Sequence, residues 1–500
     1  MPSVLALDSG TTGATALVIR DDGKIIGRGS RELPQSFPEP GWVEHDPIEI
    51  LNAIVAAARE ALAAAGEWPA GLGITNQRET TILWDRKTLA PVAPAIVWQD
   101  RRTAQRCREL KASGVEPRVH HLTGLVLDPY FSATKLEWLL REPSVRRRAD
   151  AGELAFGTVD SWLITRLTGG RVHVTDHTNA SRTLLYGLQS RRFEPELLEL
   201  FGIPAVVLPG IVDSSGIVAE TDPSMLGRSL LIAGIAGDQQ AALFGQGCVR
   251  PGSAKNTYGT GAFLLTHTGD RPAWSSQGLL TTAACGPRGE PAYALEGSVL
   301  VAGAALQWLR DGLGILSTAA ESESMARSVA DTGGVHFVPA FAGLGPPHWE
   351  PEARGTITGL TRGTTRAHLV RAALEAMAYS SADLLDAMLR DCSAGLGVLR
   401  VDGGGSSNDW LVQFQADILG VAVERPEIVD STAMGAGGLA GLALGVWPDM
   451  DAFISARRVR TFEPGMSAAE RARLRSGWAR AVGAAVTWAR GSLAWSRAPE

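Results

Sequence analysis

Residues 45–66, HDPIEILNAIVAAAREALAAAG, place Leu51, Ile54, Val55, Ala58 and Leu62 at the spacing of one helical face. The ends of that helix are marked as well. Asp46 can cap, Pro47 suits the first turn, Glu49 stands three residues after Asp46, and Gly66 can close the last turn. A second helix with the same logic is predicted in residues 366–389, where Val370, Ala373, Leu374, Met377, Leu384, Leu385 and Met388 recur at helical spacing. The opening stretch LALDSGTTGATALVI, residues 5–19, reads differently: two short apolar runs joined by a turn of glycine and threonine predict paired strands. Residues 71–85, GLGITNQRETTILWD, are strand-like too, but are interrupted from Asn76 to Thr81 by polar residues that an unbroken core strand would not carry. Strand and helix signals alternate along the chain, which predicts a mixed α/β protein.

The opening pattern has an echo. NTYGTGAFLLTHTG, residues 256–269, again sets a Gly-Thr-Gly turn before an apolar run. Two such turns about 250 residues apart predict two related domains of a size that a single core can fill. The hinge is expected in GQGCVRPGS, residues 245–253, rich in glycine and containing Pro251, so that residues 1–247 form one unit and 248–500 the other.

Composition narrows the picture by exclusion. The 500 residues are 45% hydrophobic and 20% charged, the profile of a globular protein with large cores, and the formal net charge is -6 with both signs interspersed. That balance gives no footprint for nucleic acid. No stretch approaches the roughly 20 apolar residues of a membrane span, so no membrane insertion is expected, and without a leader the expected location is the cytoplasm. Cys107, Cys248, Cys285 and Cys392 form no CxxC pair and read as reduced thiols; the nine histidines are scattered, and no bound transition metal is expected.

The turns carry the candidate chemistry. Glycine and threonine together let backbone N–H groups and hydroxyls approach an anion closely, which suits a phosphate. An ordinary hairpin also uses such a turn, and the usual GxxxxGK[ST] motif is absent. A third small-residue loop, LRVDGGGSSNDW at residues 399–410, follows an apolar run and precedes a helix-like segment, and Asp8 and Asp402 stand beside two of the three loops. In GIAGDQQAALFGQG, residues 234–247, Asp238 and Gln239 open a helix-like segment, where a carboxylate can serve chemistry or simply cap the helix.

With these residues assembled, the chain resembles the FGGY family of carbohydrate kinases and, within it, the members that phosphorylate glycerol. The likeness runs nearly the whole length, through ALDSGTT, PGWVEHDP, GITNQRETT, AIVWQDRRT, FGTVDSWLI, GIAGDQQAALFGQ, AKNTYGTGAF, YALEGSV, RVDGGG and MGAG in order. It implies two actin-like ATPase (ribonuclease H-like) domains, each a five-stranded mixed sheet with helices, flanking a catalytic cleft. The first would hold the polyol, one phosphate hairpin and the catalytic base; the second would hold the nucleotide. The implied reaction is phosphorylation of glycerol to sn-glycerol 3-phosphate by ATP with Mg²⁺. In that reading Asp238 is the base, and Asp8 holds the metal through water. Thr11, Thr12 and Gly13 meet the γ-phosphate, while Thr260, Gly303, Gln307, Gly404 and Asn408 line the nucleotide. Arg78, Glu79, Asp238 and Gln239 bracket the polyol hydroxyls, and Trp98 and Tyr130 wall its carbons. Members of the family are commonly dimers or tetramers, so a homo-oligomer is expected.

Two departures stand out. Glycerol-phosphorylating members commonly read DQGTTSSR where this chain reads DSGTTGAT, so Thr15 replaces an arginine that would grip phosphate. The glycine-rich loop that binds a sugar bisphosphate in some bacterial relatives looks shortened in residues 220–234, and no strong inhibition by fructose 1,6-bisphosphate is expected. Two other functions stay open at this point: a kinase of another small polyol or ketose, or a catalytically weakened actin-like protein that binds nucleotide or polyol.

Overall fold

In the computed structural model, which describes residues 1–392 and 395–495, the opening apolar runs form a hairpin of β1 (Ser3–Ser9) and β2 (Gly13–Arg20). The hairpin continues into β3 (Ile25–Glu32). The chain then enters α1 (Pro47–Ala65). The Asp46 carboxylate accepts from the Ile48 N–H at 2.8 Å and caps that helix, and Gly66 closes it in the left-handed region at φ 66. Its buried face is wider than the spacing implies, because Ile50, Ala57 and Ala61 are buried beside Leu51, Ile54, Ala58 and Leu62; Val55 is only half-buried.

Three further strands complete the first sheet: β4 (Gly71–Asn76), β5 (Ser215–Glu220) and β6 (Leu231–Gly237), in the order β5-β6-β4-β1-β2-β3. β6 and β4 run parallel to β1, and the remaining pairs are antiparallel. α2 (Asp238–Gly245) follows β6 directly. The second sheet repeats this plan. Its strands are β7 (Ala254–Tyr258), β8 (Ala262–Gly269), β9 (Leu280–Cys285), β10 (Pro291–Val299), β11 (Val398–Asp402), β12 (Ala422–Pro426) and β13 (Val459–Phe462), in the order β9-β10-β8-β7-β11-β12-β13. As in the first sheet, a run of antiparallel strands meets two parallel ones beyond the first strand.

Five strands were expected in each sheet, and the structure has six and seven. Both sheets share a five-stranded plan and end in an extra antiparallel strand, β5 in one and β13 in the other; β9 is a further addition. The additions escape a hydrophobicity reading for a physical reason. β5 has no buried position and β13 only one, so neither shows the in-out alternation of a half-buried strand.

Helices α3 (Gly303–Asp311), α4 (Arg366–Cys392), α5 (Asp409–Leu419) and α6 (Ser431–Ala443) lie in the second half of the chain. α6 packs against β1, β4 and β6 of the first sheet and crosses α2. Side chains are sacrificed for this approach: a Cβ on Gly435 would stand 1.8 Å from the Ala241 carbonyl oxygen, and one on Gly73 would stand 2.0 Å from that of Ala436. One core therefore joins Val4, Ala6, Leu17 and Ile19 to Ala433, Met434, Leu439, Trp447 and Phe453. The division expected at residue 247 falls in the connection between α2 and β7, and residues 393–394 and 496–500 of the expected second unit lie outside the described residues. Among the described residues no helix is long and apolar enough to cross a membrane.

Candidate active site

β4 ends at Asn76, and the polar interruption that follows is buried from Gln77 to Thr81. Glu79 sits there at φ 61, a conformation unfavourable for a residue with a side chain and persisting only where its surroundings fix it. Its carbonyl oxygen accepts from Ser132 Oγ at 3.0 Å and Lys135 Nζ at 3.3 Å. Its carboxylate accepts from Arg182 Nε at 2.6 Å. Arg78 turns the other way, donating from Nη1 and Nη2 to the two carboxylate oxygens of Glu296 at 2.6 and 3.1 Å. Arg182 Nη2 adds a third bond to Glu296 at 2.9 Å. Glu296 belongs to β10, so this bidentate pair ties the two halves of the chain together. Burial alone would raise its pKa, but Arg182 and Arg78 outweigh burial and hold it at about 2.

Asp238 opens α2 without capping it, since Gly237 occupies the cap position. Its Oδ1 accepts from the Gln239 N–H at 2.7 Å and stands 3.3 Å from Arg78 Nε. Burial raises its pKa above the usual carboxylate value, and Arg78 and the Gln239 N–H only partly offset that, leaving a carboxylate more basic than an exposed one. Gln239 accepts at Oε1 from Lys255 Nζ at 2.5 Å. Tyr130 and Trp98 meet edge to face with centroids 5.7 Å apart beside Arg78, whose Nη2 lies 3.4 Å from the Tyr130 hydroxyl. The Trp98 indole donates to Thr11 Oγ1 at 2.9 Å, fastening the aromatic wall to the first hairpin turn.

Asp8, at the end of β1, is pushed up to about 8 by burial and then by the charges of Asp238 and Asp430. No side-chain cation is hydrogen-bonded to it among the described residues, and no cluster of three metal-ligating groups is found there. One carboxyl in an electronegative setting without a cage fits Mg²⁺, which keeps most of its water and takes a single protein carboxylate plus phosphate oxygens.

On the other side, Thr260, Gly303, Gln307, Gly404 and Asn408 all line one cavity of about 350 Å³ with Leu374, Met377 and Leu411. Thr260 is exposed at the β7–β8 turn, whose backbone is buttressed by the start of α3: Ala302 and Ala304 N–H donate to the Thr260 carbonyl, and Gly303 N–H donates to that of Gly259. Asn408 has a structural task as well, capping α5 through the Leu411 N–H at 2.9 Å. Thr11, Thr12 and Gly13 form the β1–β2 turn, closed by Gly10 N–H to the Gly13 carbonyl at 2.9 Å, and they do not line that cavity. Thr15 lies directly across from Asp8 on β2. Arg28 is on the same face of the sheet, opposite Leu17, and is ion-paired to Asp430.

Glu296, Arg182, Gln240 and Lys255 belong to this arrangement and were not singled out from the sequence. Gln240 accepts from Arg78 Nη1 at 3.2 Å and donates to Thr282 Oγ1 at 3.1 Å. A signal did exist for Glu296, a charge inside the apolar strand run YALEGSV, since a charge buried in such a run needs a partner; Lys255, in the polar segment AKNTY, carried none.

Residues 3–245 match the model of the FGGY family of carbohydrate kinases, N-terminal domain, and residues 254–444 that of its C-terminal domain. A glycerol kinase of Carboxydothermus hydrogenoformans is 54% identical over 97% of this chain and 98% of its own. One of Halorhodospira halophila is also 54% identical, over 98% of this chain and 97% of its own. Among solved structures, a Plasmodium falciparum glycerol kinase with ADP superposes with a TM-score of 0.92 at 34% identity, covering 97% of this chain and 98% of that one.

Proposed function

The chain belongs to the FGGY family of carbohydrate kinases, and on that premise we propose that it transfers the γ-phosphoryl group of ATP to glycerol, giving sn-glycerol 3-phosphate and ADP. Asp238 is the general base. It takes the proton of a terminal glycerol hydroxyl as that oxygen forms its bond to the γ-phosphorus and the bond from phosphorus to the β-bridging oxygen breaks. Arg78 and Glu79, their charged ends tied to Glu296 and Arg182, border the polyol hydroxyls, Gln239 adds an amide, and Trp98 and Tyr130 cover the carbons. Thr11, Thr12 and Gly13 face the γ-phosphate. The cavity beside Thr260, Gly303, Gln307, Gly404 and Asn408 takes the adenosine end, with Leu374, Met377 and Leu411 as its apolar lining. Asp8 would hold Mg²⁺ through water, and the ion would supply positive charge beside the phosphates.

One observation carries this reading. Arg78, Glu79 and Glu296 each leave 2% of their side chain accessible and Arg182 none, whereas Asp238, in contact with Arg78, leaves 29%. A rigid ionic frame that presents one basic carboxylate to an incoming ligand suits proton abstraction. The cytoplasm, where ATP is made, and a homo-oligomeric assembly complete the proposal; light scattering reads the second.

A coupled ADP-release assay over glycerol, dihydroxyacetone, erythritol, xylulose and ribulose tests it. Glycerol is turned over best, and Asp238→Asn lowers kcat by roughly 10²- to 10⁴-fold. Undiminished turnover in Asp238→Asn, or preference for a ketose, overturns the proposal.

A further inference from the structure

Lys255 is fully buried in β7, in the second half of the chain, yet its ammonium reaches across to the first turn of α2. Nζ stands 2.5 Å from Gln239 Oε1 and 2.7 Å from Thr257 Oγ1. An ammonium has three donors and no acceptor. The Gln239 atom that faces it is therefore the amide oxygen, and the NH₂ group is turned to the other side. Gln239 itself is half-buried, and among the described residues its NH₂ donates to no protein acceptor. Burial lowers the pKa of this amine, and the charges of Asp402, Asp238 and Glu296 oppose the fall.

We propose that Lys255 is a positioning residue for the polyol: it locks the Gln239 carboxamide so that the NH₂ is presented to a substrate hydroxyl beside Asp238. Because the two residues come from opposite halves, the donor is set only when those halves are together, and polyol recognition is coupled to their closure. The inference rests on the reading of Gln239 as a glycerol contact.

The test is a cycle of variants read by glycerol KM, by calorimetric binding of glycerol and by calorimetric binding of ADP. Gln239→Ala and Lys255→Met each raise glycerol KM roughly tenfold, and the double variant is no worse than either single one, because Lys255 acts through Gln239. ADP affinity stays within about twofold of wild type in all three. Lys255→Arg, which keeps a donor, recovers most of the loss. Gln239→Glu leaves Lys255 with its partner and guards against a Lys255→Met protein that does not fold. Its carboxylate has no NH₂ to offer, so glycerol KM rises as in Gln239→Ala while thermal stability is kept. Additive effects in the double variant, an ADP affinity that falls with that of glycerol, or normal glycerol KM in Gln239→Glu overturns the proposal. Failure of the kinase reading is told apart by wild-type turnover of glycerol, since coupling between positions 239 and 255 is read in binding alone.

Discussion

The two sides of the active site are built by opposite means. On the side assigned to the polyol, charged side chains are withdrawn from solvent and tied to one another: Arg78 and Arg182 share Glu296, Arg182 also holds Glu79, and none of the four leaves more than 2% of its side chain accessible. On the side assigned to the nucleotide, Thr12 and Thr260 sit exposed on hairpin turns, and the neighbouring cavity of about 350 Å³ mixes small and apolar residues with Gln307, Arg310, Glu323 and Asn408. The difference follows the ligands. A three-carbon polyol offers few atoms, so its site must be preorganised and each hydroxyl met by a fixed partner. A nucleotide brings its own charge and size, and a turn of backbone N–H groups with room beside it is enough.

The largest effect should come from breaking the ionic frame. Glu296→Gln removes the charge that two buried guanidinium groups share, and leaving a buried ion without its partner costs about 3–5 kcal/mol. Glycerol KM should rise at least roughly a hundredfold and the thermal midpoint should fall, while calorimetry finds ADP affinity unchanged. Loss of ADP affinity in step with that of glycerol would show that the two sides are not energetically separate.

A smaller effect lies at the seam. Burial and the neighbouring Asp238 and Asp430 push the Asp8 carboxyl up to about 8, so at pH 7 a divalent cation should have to displace its proton. Mg²⁺ binding to the ADP complex should release close to one proton at pH 7, read by calorimetry in buffers of different ionisation enthalpy. Below pH 8 the affinity should gain about tenfold per pH unit, and above it level off. Asp8→Asn should abolish both effects without changing glycerol binding; proton release that persists in Asp8→Asn would assign the titration elsewhere.

The smallest effect sharpens the nucleotide side. Thr15→Arg puts a cation on the face that carries Asp8 and Arg28, and turnover should rise by roughly two- to fivefold, the scale of a partly exposed ion pair. Unchanged or lower turnover would mean that Arg28, paired with Asp430, already compensates for the missing arginine.

How legible each side was in the sequence follows the same division. Caps and turns are local, so Asp46, Pro47 and Gly66 announce α1, and the glycine-threonine turns announce the hairpins that the structure contains. Of the residues assigned to the nucleotide, Thr11, Thr12, Gly13, Thr260, Gly404 and Asn408 sit in small-residue loops legible in the sequence, whereas Gly303 and Gln307, on α3, follow from the resemblance alone. Glu296 is different: 218 residues separate it from Arg78, and nothing local states which charge it meets. The crossing of α6 under the first sheet was equally hidden. The run Ser431–Ala443 is mostly small residues without a polar face, and its partners Gly73 and Ala241 lie far away along the chain.

That crossing bears on the order of synthesis. Val4 and Ala6 of β1 are covered by Ala433, Met434 and Phe453, and β1 leaves the ribosome about 430 residues ahead of that cover. At roughly 5–20 residues per second, one face of the first sheet waits about 20–90 s for its cover. The first half of this chain therefore cannot complete its own core, and one face of its sheet stays uncovered until α6 has been made.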